Sequence, residues 1–86
     1  MLRIETSHEG QTTVLRLSGR IQTEDTPVLQ KQFEQLGGAL VYDLSEIQLV
    51  DEAAVRFLAE RESKGVVLRN CASYIREWIR RENESH

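Results

Sequence analysis

The sequence has little of several things that would place it quickly. It holds one cysteine, Cys71, and one proline, Pro27, in 86 residues. A lone cysteine makes no internal disulfide, and no Cys/His spacing suggests a structural zinc site. The two histidines, His8 and His86, are too few and too near the termini to build a metal centre. Aromatic residues are scarce at 6%. The longest apolar stretch, around Gly37 to Val41, falls far short of the roughly 20 residues that span a bilayer. Residues 1 to 10 carry no secretory apolar core, so a cytoplasmic location without membrane insertion is expected. Excess positive charge is lacking too: the net charge is −3, which gives no electrostatic reason to expect nucleic acid or an anionic membrane as the partner.

What is present is an ordinary globular balance, 40% apolar and 29% charged. One short chain has room for one core, and a domain of this size buries only about 60 to 65% of its unfolded surface. A single domain over residues 1–82 with a frayed tail over 83–86 is expected.

The pattern along the chain sets the elements. Leu2, Ile4 and Thr6 alternate with Arg3 and Glu5. After a Glu9-Gly10 turn, Thr12 to Ser18 alternates again, which predicts a hairpin. Gly19 to Thr23 reads as a short connector. Thr26-Pro27 is a good helix start, because the first turn does not need the N–H that proline lacks. Leu29, Phe33 and Leu36 follow at helical spacing, and Gly37-Gly38 stops the helix. The run Ala39-Leu40-Val41-Tyr42 predicts a central strand buried on both faces. Val50, Ala54, Phe57 and Leu58 share one helical stripe, so residues 52–63 are expected to be helical, with Arg56, Glu60 and Glu62 facing water, up to a stop at Gly65. Val66-Val67-Leu68 predicts another apolar strand. Asn70 is a candidate cap for a last helix with Tyr74, Ile75, Trp78 and Ile79 on its inner stripe. Two crossover connections after the hairpin make the later strands parallel. The expected fold is α/β: a four-stranded mixed sheet covered by three helices.

The segment Tyr42 to Ala54, leading out of the central strand into the second helix, is the most informative for function. The carboxyl ends of parallel strands present loops and helix N-termini. Asp51 suits the N-cap there, and Glu52 the first turn, where the helix dipole favours a negative charge. Both residues can be read as helix stabilisers alone. Adjacent carboxylates at a helix start diverge and no nucleophile accompanies them, so no active site is expected. Cys71, near the last helix, reads as a small packed side chain, with a redox-sensing thiol as the alternative. Arg69, Arg76, Arg80 and Arg81, interrupted by Glu77, Glu82 and Glu84, make a mixed solvated face. No phosphate-binding loop of the P-loop kind occurs, and no cofactor is expected.

With the elements in place, three segments resemble the sulphate transporter and anti-sigma factor antagonist (STAS) family. Leu15-Arg16-Leu17-Ser18-Gly19-Arg20-Ile21 resembles its second strand with the Ser-Gly-Arg turn. Val41-Tyr42-Asp43-Leu44-Ser45 resembles its central strand ending in Asp-Leu-Ser, and Val50-Asp51 the approach to its switch helix. In that family the sequence commonly continues Asp-Ser-Ser-Gly-Leu, and the first serine is phosphorylated by a partner anti-sigma kinase to release the complex. Here it continues Asp51-Glu52-Ala53-Ala54-Val55, with Glu52 at the phosphoacceptor position. The last strand and helix of longer members are expected to be lacking.

The resemblance implies a non-enzymatic domain that docks a protein through Asp51, Glu52, Ala53, Val55 and Arg56. The implied partner is an anti-sigma factor of the serine kinase type or, alternatively, the ATPase of an ABC-type lipid transporter that the domain serves as accessory subunit. Some relatives suggest a nucleotide-binding module instead.

Overall fold

The structure, a computed structural model, describes residues 2–36 and 39–84. Strand β1 (Leu2–Glu9) and strand β2 (Thr12–Ile21) form the opening hairpin. Gly10 closes it at φ +64°, a conformation that glycine adopts without a Cβ penalty. A 3-10 turn (Thr23–Asp25) leads into helix α1 (Thr26–Leu36). Strand β3 (Leu40–Val50), helix α2 (Glu52–Ser63), strand β4 (Val67–Arg69) and helix α3 (Ser73–Glu84) complete the chain. The sheet order is β1-β2-β3-β4, antiparallel between β1 and β2 and parallel from β2 to β4.

One apolar cluster joins the helices to the sheet. Leu15, Leu17 and Ile21 of β2 and Tyr42, Leu44, Ile47 and Val50 of β3 pack with Leu29 of α1, Val55 and Leu58 of α2, and Ile75 and Ile79 of α3. Val14, Val41 and Val67, of opposite pleat, lie outside this cluster. Among the described residues all three helices therefore cover one face and leave the other sheet face open.

Several sequence expectations change. Gly19 to Ile21 are strand rather than connector, because they pair with Ile47, Leu49 and Val50 of β3. The run Ala39 to Tyr42 is not buried throughout: Leu40 and Tyr42 pack under the helices, while Val41 is half-buried and Ala39 exposed. Val67, in the strand expected to be wholly apolar, is 55% exposed on the open face. Residues 43 to 50 stay in β3 instead of leaving it, and two register shifts against β2 each insert one extra β3 residue. These bulges explain why the core positions are Leu44, Ile47 and Val50, three apart, where an uninterrupted strand places them two apart.

Asn70 does not cap α3. It adopts φ +57° after β4, and its amide donates to Asp43 Oδ1 at 3.3 Å. Tyr74 is 51% exposed instead of packed inward, since α3 buries Ile75 and Ile79. Asn83 and Glu84 are helical, supported by the Arg80–Glu84 pair one turn apart. The Leu36 side chain, the Gly37-Gly38 stop, His86 and the end of the tail lie outside the described residues.

Candidate functional site

The junction from β3 to α2 is built around Asp51. Its backbone is extended (φ −100°, ψ 178°), and its Oδ1 accepts from the Ala54 N–H at 2.9 Å, the bond of an N-cap. Oδ2 faces the other way and accepts from the Thr23 N–H and hydroxyl at 2.8 and 3.0 Å. The Asp51 N–H donates to Ile21 O at 3.2 Å. One carboxylate thus clamps the exit of β2 to the start of α2. Partial burial pushes its pKa up, but the N–H groups of Ala54 and Thr23 and the Thr23 hydroxyl outweigh that and hold it below the ordinary carboxylate range.

Glu52 follows in the first turn with its side chain 62% exposed, and it pairs with Arg56 one turn on. Arg56 also lies 3.6 Å from Glu82 of α3. Ala53 is half-buried. Val55 is fully buried in the core, which corrects its assignment as a contact residue: position 55 turns toward the sheet. The structure brings Asp51, Glu52 and Arg56 together at the start of α2, with Asp51 occupied internally.

Two further exposed residues, Leu49 and Tyr74, join this end of the sheet. Leu49, pushed out by the second bulge, is 50% exposed. Tyr74 lies beside it and donates its hydroxyl to Gln48 O at 3.0 Å. Neither carried a local signal, because Leu49 adjoins the apolar Val50 and Tyr74 lies on an apolar helical stripe.

Asp43 has a structural place. It is buried, and its Oδ1 accepts from the Ser45 N–H at 3.0 Å, stabilising the first bulge, and from Asn70. Burial raises its pKa, while these bonds and nearby Arg69 bring it below the ordinary value. Arg69 bridges onward to Glu9 at 3.2 Å. The shallow hollow around them mixes Glu5, Glu9 and Asp43 with Arg16 and Arg69, so no single charge prevails. Burial pushes the half-buried Cys71 thiol up, with Arg76 opposing, so thiolate chemistry is disfavoured. Among the described residues no His, Cys, Asp and Glu group is placed to hold a metal ion, and no helix is long and apolar enough to cross a membrane.

A family model described as "Mlab, STAS domain" matches residues 4–82. Among solved structures, the anti-sigma factor antagonist SpoIIAA in its unphosphorylated form is similar, with a TM-score of 0.67 at 16% identity over 90% of this chain and 79% of that one. An antisigma-factor antagonist STAS domain from Rhodobacter sphaeroides gives 0.57 at 18%, over 81% and 85% of the two chains. A Shewanella loihica PV-4 protein of uncharacterised function with a SpoIIAA-like fold gives 0.51 at 14%, over 98% and 77%. At these identities the likeness is one of fold. No curated protein sequence matches the chain.

Proposed function

The chain belongs to the STAS domain family, and on that premise we propose that it is a non-enzymatic protein-interaction domain of the anti-sigma factor antagonist type, working in the cytoplasm. The observation that carries this reading is the exposed Glu52 on a helix start that Asp51 holds rigid. Glu52 stands at the position where the family resemblance puts the phosphoacceptor serine, and its side chain offers a serine kinase no hydroxyl to esterify. It supplies a fixed single negative charge where a phosphoryl group brings about −1.5 to −2. Glu52 and Arg56 form the polar part of the docking surface, and Leu49 and Tyr74 supply its exposed apolar part. The partner in this reading is an anti-sigma factor.

The fixed charge favours a second reading. An interface that phosphorylation does not reset suits a standing accessory subunit, such as one on the ATPase of an ABC-type lipid transporter. Affinity purification of the tagged chain from its native lysate, with Glu52→Arg in parallel, tests both. A kinase-type anti-sigma factor retained by wild type and lost by the variant supports signalling, and a transporter ATPase in its place supports the accessory-subunit reading. With the purified partner, Glu52→Arg is expected to weaken binding at least tenfold, about 1.4 kcal/mol. An unchanged Kd rejects this surface.

A further inference from the structure

The two edges of the sheet are unlike. β4 is three residues long. β1 runs eight residues in unbroken register with β2, without a bulge or proline, and among the described residues no strand pairs with its outer side. Shortness, bulges and proline are among the devices that blunt edge strands; of the others, β1 carries charge, in Arg3, Glu5 and Glu9, so its pairing depends on a register that matches those charges.

The direction of the β1 backbone groups follows from the ladder. The Thr13 N–H donates to Ala39 O on the β3 side at 3.0 Å. Thr12, Val14, Arg16 and Ser18 therefore turn toward β1, where their partners are Glu9, Ser7, Glu5 and Arg3. Leu2, Ile4, Thr6 and His8 are left with N–H and C=O groups pointing outward. Leu2 and Ile4 pack against the core on the helix side, which places Arg3, Glu5, Ser7 and Glu9 on the open face.

We infer that β1 pairs with β1 of a second copy of this chain, antiparallel about a dyad at Thr6, making one eight-stranded sheet. In this register Ile4 bonds His8 and Thr6 bonds Thr6 of the other copy. The non-bonded pairs, whose side chains approach more closely, set Arg3 against Glu9 and Glu5 against Ser7. Arg3 makes no ion pair among the described residues, and Glu9 is 59% exposed. A slip that centres the dyad on Glu5 opposes Glu5 to Glu5, and one centred on Ser7 opposes Glu5 to Glu9, both like-charged. A dyad on Ile4 shortens the overlap to Leu2–Thr6. Charge and length together select Thr6. The β1 edge lies two strands from β3, so the dimer leaves both Glu52 surfaces free.

A single strand pair makes a small interface, so the dimer is weak. Sedimentation equilibrium from about 10 µM to about 1 mM spans the range of such contacts. The wild-type mass is expected to rise from 9.9 kDa toward twice that value. Thr6→Pro removes an N–H that bonds nothing in the monomer. It should stay monomeric with an unchanged circular dichroism spectrum and Tm. Arg3→Glu should weaken the dimer at least tenfold, and Arg3→Glu/Glu9→Arg should restore it. In a Cys71→Ser background, Thr6→Cys should oxidise to a covalent dimer, since a bonded antiparallel pair spaces its Cα atoms about 5.5 Å apart, within disulfide reach. A wild type that remains monomeric at the top concentration, a Thr6→Pro dimer, a charge swap that restores nothing, or failure of the cysteine pair to cross-link overturns the proposal.

Discussion

Thr23 and Asp51, 28 residues apart, are joined by two hydrogen bonds to a single carboxylate oxygen, while the other oxygen of Asp51 caps α2. The clamp holds Glu52 at a fixed place relative to the sheet.

Asp51→Ala removes the cap, about 1 kcal/mol, and the Thr23 bonds, worth about 1 kcal/mol more. At about 4–8 °C per kcal/mol for a domain of this size, Tm should fall by about 8–16 °C. Asp51→Asn retains a capping oxygen and should lose less than half of that. Equal losses in thermal melts of the two variants would contradict the clamp.

Asp43 and Asp51 have folded-state pKa values below their unfolded ones. The sign follows from linkage: their stabilisation is present above the unfolded pKa, about 3.9, and is lost as pH falls through the lower folded values. Tm should hold nearly constant from pH 7 to pH 5 and fall below about pH 4. The Asp43→Asn/Asp51→Asn double variant should show a shallower acid slope. A slope as steep as wild type would place the acid sensitivity elsewhere.

Arg61 is 3% exposed, with its guanidinium 4.4 Å from the Phe33 ring centroid and 5.0 Å from that of Phe57. Nη2 meets Glu60 at 2.9 Å, but among the described residues Nε and Nη1 have no hydrogen-bond partner, and neither does the nearby Tyr42 hydroxyl. Burial pushes that phenol up to about 12, against the opposing Arg61 charge. Replacing a buried, partly unpaired charge by an apolar chain of similar volume is often neutral or stabilising. Arg61→Met should therefore keep or raise Tm. Arg61→Ala should lower it by opening a cavity between the two rings, an effect of about 2 kcal/mol or more. A Met variant as unstable as the Ala variant would show that the cation–π contacts outweigh the unmet donors.

Cys71 should alkylate slowly at neutral pH, with a rate that rises only above the ordinary thiol range, because burial raises its pKa. Cys71→Ser should leave partner binding unchanged. Fast alkylation at pH 7 would revive the redox reading.

The sequence by itself determined the elements whose signals are local. The glycine turn made the hairpin, a stripe at helical spacing set α2 over residues 52–63, and Asp51 announced itself as a cap. The βαβ pattern then fixed the parallel strands, since right-handed crossover leaves little choice. Tertiary structure decided what depends on partners distant in the chain. β3 runs on to Val50 because β2 reaches as far as Ile21 beside it, and its bulges bring out Leu49. Val55 leaves the site because α2 turns it to the sheet, Asn70 serves Asp43 instead of α3, and Arg61 is buried because α1 sets Phe33 against it. Periodicity records which residues share a face, but which surface meets that face is settled only when the elements pack.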